Sequence, residues 1–156
     1  MKKVFYIIVL FGCFATQSQT KKESLKVYSF KDVEELHQQN PKPMVVFIYT
    51  DWCKYCFAME KTTFNNKDVI KALNDKFYFV KLNAKEKKDI LFLNKQFKYK
   101  PTGSNTGIHQ LAKELALKKG RISYPTTTIL NLELQIELQI TRYMKSKKLI
   151  QILSKI

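Results

Sequence analysis

The 156-residue sequence predicts one α/β domain built on a central mixed β-sheet flanked by helices, and three observations predict it. An uninterrupted apolar, β-rich run, Met44–Thr50 (MVVFIYT), has the composition of a strand buried on both faces. Amphipathic segments alternate with this run and with a second one, Phe77–Leu82 (FYFVKL). Two strand-like runs then follow each other directly, Thr126–Leu130 and Leu134–Ile140, ahead of an amphipathic C-terminal segment. Runs in direct succession read as a hairpin, so the sheet contains both parallel and antiparallel pairs.

In chain order, Ser29 and Asp32 open a first helix carrying Val33 and Leu36, which Asn40-Pro41-Lys42-Pro43 closes. After the Met44–Thr50 strand comes Asp51-Trp52-Cys53, and Phe57, Ala58, Met59 and Phe64 mark a second helix. Asn66 starts another through Val69, Ile70 and Leu73. Ile90, Leu93 and Phe97 fall on one stripe, so Asp89–Phe97 is expected to be helical. Pro101-Thr102-Gly103-Ser104-Asn105 reads as a loop and Ile108–Leu117 as a helix, an insertion ahead of Tyr124-Pro125. Ser146 is expected to cap the last helix, with Leu149, Ile152 and Leu153 facing inward. No internal repeat or low-complexity linker divides the chain.

Hydrophobic residues make up 45% of the sequence, enough to bury a core and to exclude a disordered tail. The first residues have the layout of an export signal: Lys2 and Lys3, the apolar run Val4–Leu10, then Gly12-Cys13-Phe14-Ala15. The expected organisation is therefore a signal peptide over residues 1–19 and one domain over 20–156, in the periplasm or otherwise exported. Leu10-Phe11-Gly12-Cys13 also approaches a lipobox, so membrane attachment is expected only if Cys13 is lipidated. The formal charge of +15 falls to +13 without Lys2 and Lys3. The lysines are scattered and form no arginine-rich block, which argues against nucleic acid and for a solvated basic surface open to acidic proteins.

Signal removal leaves two cysteines of three, both in Cys53-Lys54-Tyr55-Cys56. So short a loop removes little chain entropy when closed, which favours chemistry over a structural staple. The pair sits where a strand runs into a helix, and the free N–H groups and positive dipole end there stabilise a thiolate. Cys53 is thus the expected nucleophile, with Lys54 adding nearby positive charge, and Cys56, one turn deeper, the resolving thiol. Such a cycle needs two sulfurs and no cofactor. A structural zinc site needs four ligands; beyond the pair only His37 and His109 remain, each alone on an expected helix, so no metal is expected.

Lys42-Pro43-Met44, Tyr49–Cys56, Met59-Glu60-Lys61 and Thr63-Phe64 together resemble the thioredoxin superfamily. The likeness runs from about Pro43 to Leu130 and is greatest to the branch of the C-terminal periplasmic domain of the thiol:disulfide interchange protein DsbD and to stand-alone thioredoxin-like proteins. The resemblance implies a thioredoxin-like fold and a thiol–disulfide oxidoreductase, on the DsbD side more a reductase than an oxidant, acting on protein thiols and disulfides with an external electron donor or acceptor. It implies that Pro125 in Ser123-Tyr124-Pro125-Thr126-Thr127 is cis and faces the Cys pair, with Tyr124 offering its backbone to a substrate strand. Trp52 and Glu60 match supporting positions of that branch. Many thioredoxins carry a buried acid six residues before the first Cys, where this chain has Phe47. Residues 101–119 are expected either to line the substrate groove around Asn105–Gln110 or to pack as an added helix. The rival function is a non-catalytic thioredoxin-fold module that docks a partner through its lysines.

Overall fold

The computed structural model describes residues 23–104 and 106–156. The expected signal, its boundary and the Cys13 lipidation site lie outside the described residues, as does Asn105. Four strands form the main sheet: β1 (Met44–Tyr49), β2 (Tyr78–Asn83), β7 (Thr126–Leu130) and β8 (Ile136–Ile140), in the order β2-β1-β7-β8. β1 and β2 are parallel, while β7 runs antiparallel to both β1 and β8. This is the mixed sheet expected from the sequence, with the C-terminal hairpin in place.

Strand alternation divides the core in two. Met44, Val46 and Ile48 of β1 point to one face, with Tyr78, Val80 and Leu82 of β2 and Leu130 of β7. Helices α1 (Phe30–Gln39) and α4 (Gln110–Ala116) cover that face through Phe30, Val33, Leu111, Ala112, Leu115 and Ala116. Val45, Phe47, Phe79 and Ile129 point to the other, where they meet Met59 of α2 (Lys54–Thr62), Val69 and Leu73 of α3 (Lys67–Lys76), and Leu149 and Leu153 of α5 (Ser146–Leu153).

The first helix starts as its residues dictate: Ser29 accepts from the Asp32 N–H at 3.1 Å, and the Asp32 carboxylate accepts from the Ser29 N–H at 3.0 Å. Asn66 caps α3 with bonds from the Asp68 and Val69 N–H groups. At α5 the expected cap differs: Lys145 holds the capping position without a side-chain bond, and Ser146 is the first helical residue.

The larger correction concerns residues 89–103. Asp89–Phe97 is not a helix; β3 (Ile90–Phe92) and β4 (Lys95–Phe97) pair as an antiparallel hairpin. Leu93 and Asn94, both at positive φ (51° and 59°), form its turn. Ile90, Leu93 and Phe97 match a helical stripe, but the residues buried are Phe92 and Phe97, and Leu93 is exposed at the tip. An Asn that tolerates left-handed backbone decides for the turn. The expected loop at Pro101–Asn105 is likewise the start of a second hairpin, β5 (Tyr99–Gly103) with β6 (Thr106–His109), which leads into α4.

Candidate active site around Cys53 and Cys56

β1 delivers the chain to Thr50, and the turn that follows is held twice. The Cys53 N–H bonds the Thr50 carbonyl at 3.1 Å, and Asn83 at the end of β2 donates its amide to both Asp51 carboxylate oxygens, at 3.0 and 3.1 Å. Cys53 then caps α2. Its Sγ accepts from the Cys56 N–H at 3.1 Å, a donor it shares with the Cys53 carbonyl at 3.0 Å, so the helix terminus directs an N–H at this sulfur. Cys53 and Cys56 are joined in a disulfide, with Cys53 6% and Cys56 1% exposed. Both residues are buried, Cys53 the slightly less so.

The Tyr124–Pro125 peptide is cis. The register places it beside the pair: Ile48, five residues before Cys53, lies opposite Thr126, the residue after Pro125. Pro125 is buried, and Tyr124 is half-buried with its ring edge-on to Trp52, centroids 5.9 Å apart. Burial pushes the Tyr124 phenol above its ordinary value, so it stays protonated at neutral pH. Trp52, Tyr55 and Phe57, the aromatic residues next to the cysteines in the chain, are 69%, 68% and 64% exposed. Lys54 is exposed between them, and Lys61 lies over the Phe57 ring at 5.3 Å.

A cleft of about 170 Å³ is lined by Tyr49, Thr50, Asp51, Cys53, Cys56, Phe57 and Glu60. Glu60 thus reaches the sulfurs' own cavity, paired there with Lys81 of β2 at 2.9 Å. The Lys81 ammonium also sits over the Tyr49 ring at 5.0 Å. Desolvation raises the Tyr49 phenol, Lys81 partly offsets this, and Glu60 and Asp51 reinforce it. The Thr50 hydroxyl is buried, with no hydrogen-bond partner among the described residues, and Thr50 lines the same cleft. Tyr49 and Thr50 belong to the motif that carries the family resemblance but had no role assigned to them, and Lys81 and Asn83 were not singled out from the sequence. Nothing local ties Lys81 or Asn83 to a site more than twenty residues away.

Phe47 takes no part in the cleft. It is fully buried on the α2 and α3 side, stacked on Tyr49 and edge-on to Phe64. Nor do residues 106–110 reach the disulfide: Gly107 and His109 are buried, while Ile108 and Gln110 line a separate groove with Lys113 and Leu117. His37 closes a loop, its ring nitrogens 3.1 Å from the Lys42 carbonyl and 2.8 Å from the Leu132 carbonyl. His109 caps α4, its Nδ1 accepting from the Leu111 N–H at 3.3 Å. No helix among the described residues is long and apolar enough to cross a membrane.

The family model described as thioredoxin-like matches residues 29–107. The Escherichia coli K12 thiol:disulfide interchange protein DsbD is 37% identical over 65 residues, 39% of this chain and 12% of that protein. The chain therefore matches only about an eighth of the length of this curated relative. Among solved structures, a DsbH oxidoreductase superposes with a TM-score of 0.61 at 15% identity, covering 92% of each chain. A thioredoxin from Thermus thermophilus gives 0.60 at 16% identity, covering 85% of this chain and 86% of that one. At such identities the superpositions speak for the fold, and the family match and the cis-Pro site agree with it. The chain belongs to the thioredoxin-like family.

Proposed function

We propose that the chain is an exported thiol–disulfide oxidoreductase that exchanges protein disulfides, preferentially reducing them, through Cys53 and Cys56. The observation that carries the proposal is the asymmetry of the pair: Cys53 at the helix terminus takes a backbone N–H on its sulfur and is slightly less buried than Cys56, one turn behind it. In the reduced protein the Cys53 thiolate attacks one sulfur of a partner disulfide. A Cys53–partner bond forms and the partner's other sulfur leaves as a thiolate. The Cys56 thiolate then displaces the second partner sulfur from Cys53, and two electrons have passed to the partner. The protein is left with the Cys53–Cys56 disulfide, which an outside dithiol donor must reduce.

Around this step Tyr124 and Pro125 offer the edge against which a partner segment lies, and Trp52, edge-on to Tyr124, extends it. Lys54 adds positive charge at the helix start. Glu60, held by Lys81 in the cleft of both sulfurs, is an acid that can take or return a proton there, a role open because Phe47 stands where many thioredoxins have theirs. Export rests on the signal-like first residues, and the reducing direction on the DsbD-branch resemblance.

The test is trapping. The reduced Cys56→Ser variant is expected to accumulate mixed disulfides through Cys53 with proteins of its native compartment, and Cys53→Ser to trap none; equal adducts from both variants would refute the assignment. The equilibrium with glutathione then fixes direction: a potential near ~−270 mV supports a reductase, and one near ~−120 mV an oxidant. A docking module with a spectator disulfide would trap nothing.

A further inference from the structure

A basic cavity adjoins the cis-proline edge. The turn Lys118–Arg121 closes on itself, the Lys118 N–H bonding the Arg121 carbonyl at 2.9 Å and the Arg121 N–H the Lys118 carbonyl at 3.1 Å. Lys119 and Gly120 between them are both at positive φ, 51° and 74°. Lys118, Lys119, Arg121, Ser123 and Thr141 line a cavity of about 450 Å³. Its wall carries three cations and two hydroxyl side chains and no carboxylate. None of the ion pairs among the described residues involves these cations. Lys118 is anchored, its Nζ donating to the Gln139 carbonyl, whereas no side-chain bond among the described residues fixes Lys119 or Arg121.

Sheet register sets the distance from this cavity to the sulfurs. Ile48 lies opposite Thr126, and Thr127 opposite Ile140. The end of β1 leading to Cys53, the start of β7 after Pro125, and Thr141 after β8 therefore lie side by side at one end of the sheet. Three adjacent strands span on the order of 10 Å, about three residues of extended chain. A polypeptide whose cysteine meets Cys53 and which lies along Tyr124 has the Trp52 face on one side. On the other, two strands from the end of β1, lies Thr141 in the wall of this cavity.

We propose that the cavity is a specificity subsite that takes an Asp or Glu side chain of the partner protein, about three residues from its reacting cysteine. The proposal rests on the exchange activity proposed above. Arg121 can hold a carboxylate with two parallel N–H bonds, Lys119 adds a mobile charge, and the Ser123 and Thr141 hydroxyls supply neutral donors. Charges exposed at a rim act mainly on encounter rate, so the subsite should be visible in second-order rates and should weaken with salt.

The experiment compares the reduced chain on three disulfide-looped peptides that carry Asp-Glu, Ser-Ser or Lys-Lys three residues from the reacting cysteine, with hydroxyethyl disulfide as a small neutral substrate. At low ionic strength the acidic peptide is expected to react at least tenfold faster than the neutral one, with the ratio falling below threefold at 0.5 M salt. Lys119→Glu with Arg121→Glu should reverse the acidic preference and leave hydroxyethyl disulfide within twofold. Lys67→Glu with Lys76→Glu, the same charge change on α3, should keep the preference. A preference that is absent, or lost equally in the α3 variant, overturns the subsite while leaving the exchange activity standing. If neither the peptides nor hydroxyethyl disulfide react, the exchange activity itself fails and the subsite with it.

Discussion

Single residues decide what this site can do, and they differ in how visible they are along the chain. Cys53 and Cys56 are legible because a strand, a turn and a helix start are written around them, and because no other cysteine follows them. Glu60 is legible only as a spacing; its pairing with Lys81 depends on β2 lying beside β1, which no local pattern reveals. His109 is harder still. The sequence placed it only as a lone histidine on an expected helix, and it is the cap of α4, fully buried, its Nδ1 accepting and therefore unprotonated. Nε2 then carries the proton with no hydrogen-bond partner among the described residues; desolvation holds the imidazole below its usual 6.5, outweighing the nearby Lys88 and Phe97 carbonyls and the Glu86 and Asp89 carboxylates, which favour the charged ring. A histidine lowered in the folded state binds its proton more readily when unfolded. Its contribution to stability is therefore complete above about pH 6.5 and is lost as pH falls from there toward the folded value. The variant His109→Asn keeps an acceptor for the cap and removes the titration. Urea unfolding at pH 7.5 and 5 should show wild type losing more stability than the variant over that interval; parallel losses would contradict the buried neutral ring.

The elements followed their sequence signals where a side chain fixes an end, as with the Ser29–Asp32 capping box and the Asn66 cap. They departed from them between Asp89 and Gly103, because a nine-residue stripe serves a hairpin as well as a helix until the left-handed Leu93-Asn94 turn chooses. The second hairpin was hidden by Pro101 and Gly103, which read as loop residues but fit an exposed strand with an irregular register between them. Its packing rests on Gly107. A Cβ there would meet the Tyr99 ring and stand 2.6 Å from the Lys100 carbonyl oxygen, backbone that cannot step aside. Tyr99 is itself covered by the Lys87 ammonium, 3.4 Å from the ring centroid. Gly107→Ala is therefore expected to destabilise the fold by roughly 1–3 kcal/mol by overpacking, read as a lower urea midpoint at unchanged slope. An unchanged midpoint would show that the hairpin yields freely.

At the scale of the molecule, the sheet gathers pieces far apart in sequence: Cys53 after β1, Pro125 before β7 and Thr141 after β8. The alternation of apolar and helical segments foretold the sheet and its C-terminal hairpin, and the Cys53–Pro125 arrangement followed from the family resemblance. The basic cavity stayed hidden, since Lys118, Lys119 and Arg121 look like any other scattered lysines and arginines until the turn and β8 bring them together. The centre of the sheet is also where stability is concentrated. Phe47, fully buried between Tyr49 and Phe64 and joined to Phe79 through Phe64, anchors the α2–α3 face. Phe47→Ala is expected to cost about 3–5 kcal/mol in chemical denaturation, and a loss under about 1 kcal/mol would mean that the core refills around the site.

Everything proposed for function depends on the Cys53 sulfur being a thiolate when an ordinary thiol is not. The direct measurement is the rate of iodoacetamide alkylation of the reduced protein at pH 6, with Cys56→Ser assigning the reaction to Cys53. The helix terminus at that sulfur predicts a rate at least tenfold above that of a free cysteine thiol at the same pH, dropping only at lower pH. A rate equal to the free thiol, rising only toward pH 8.5, would contradict it.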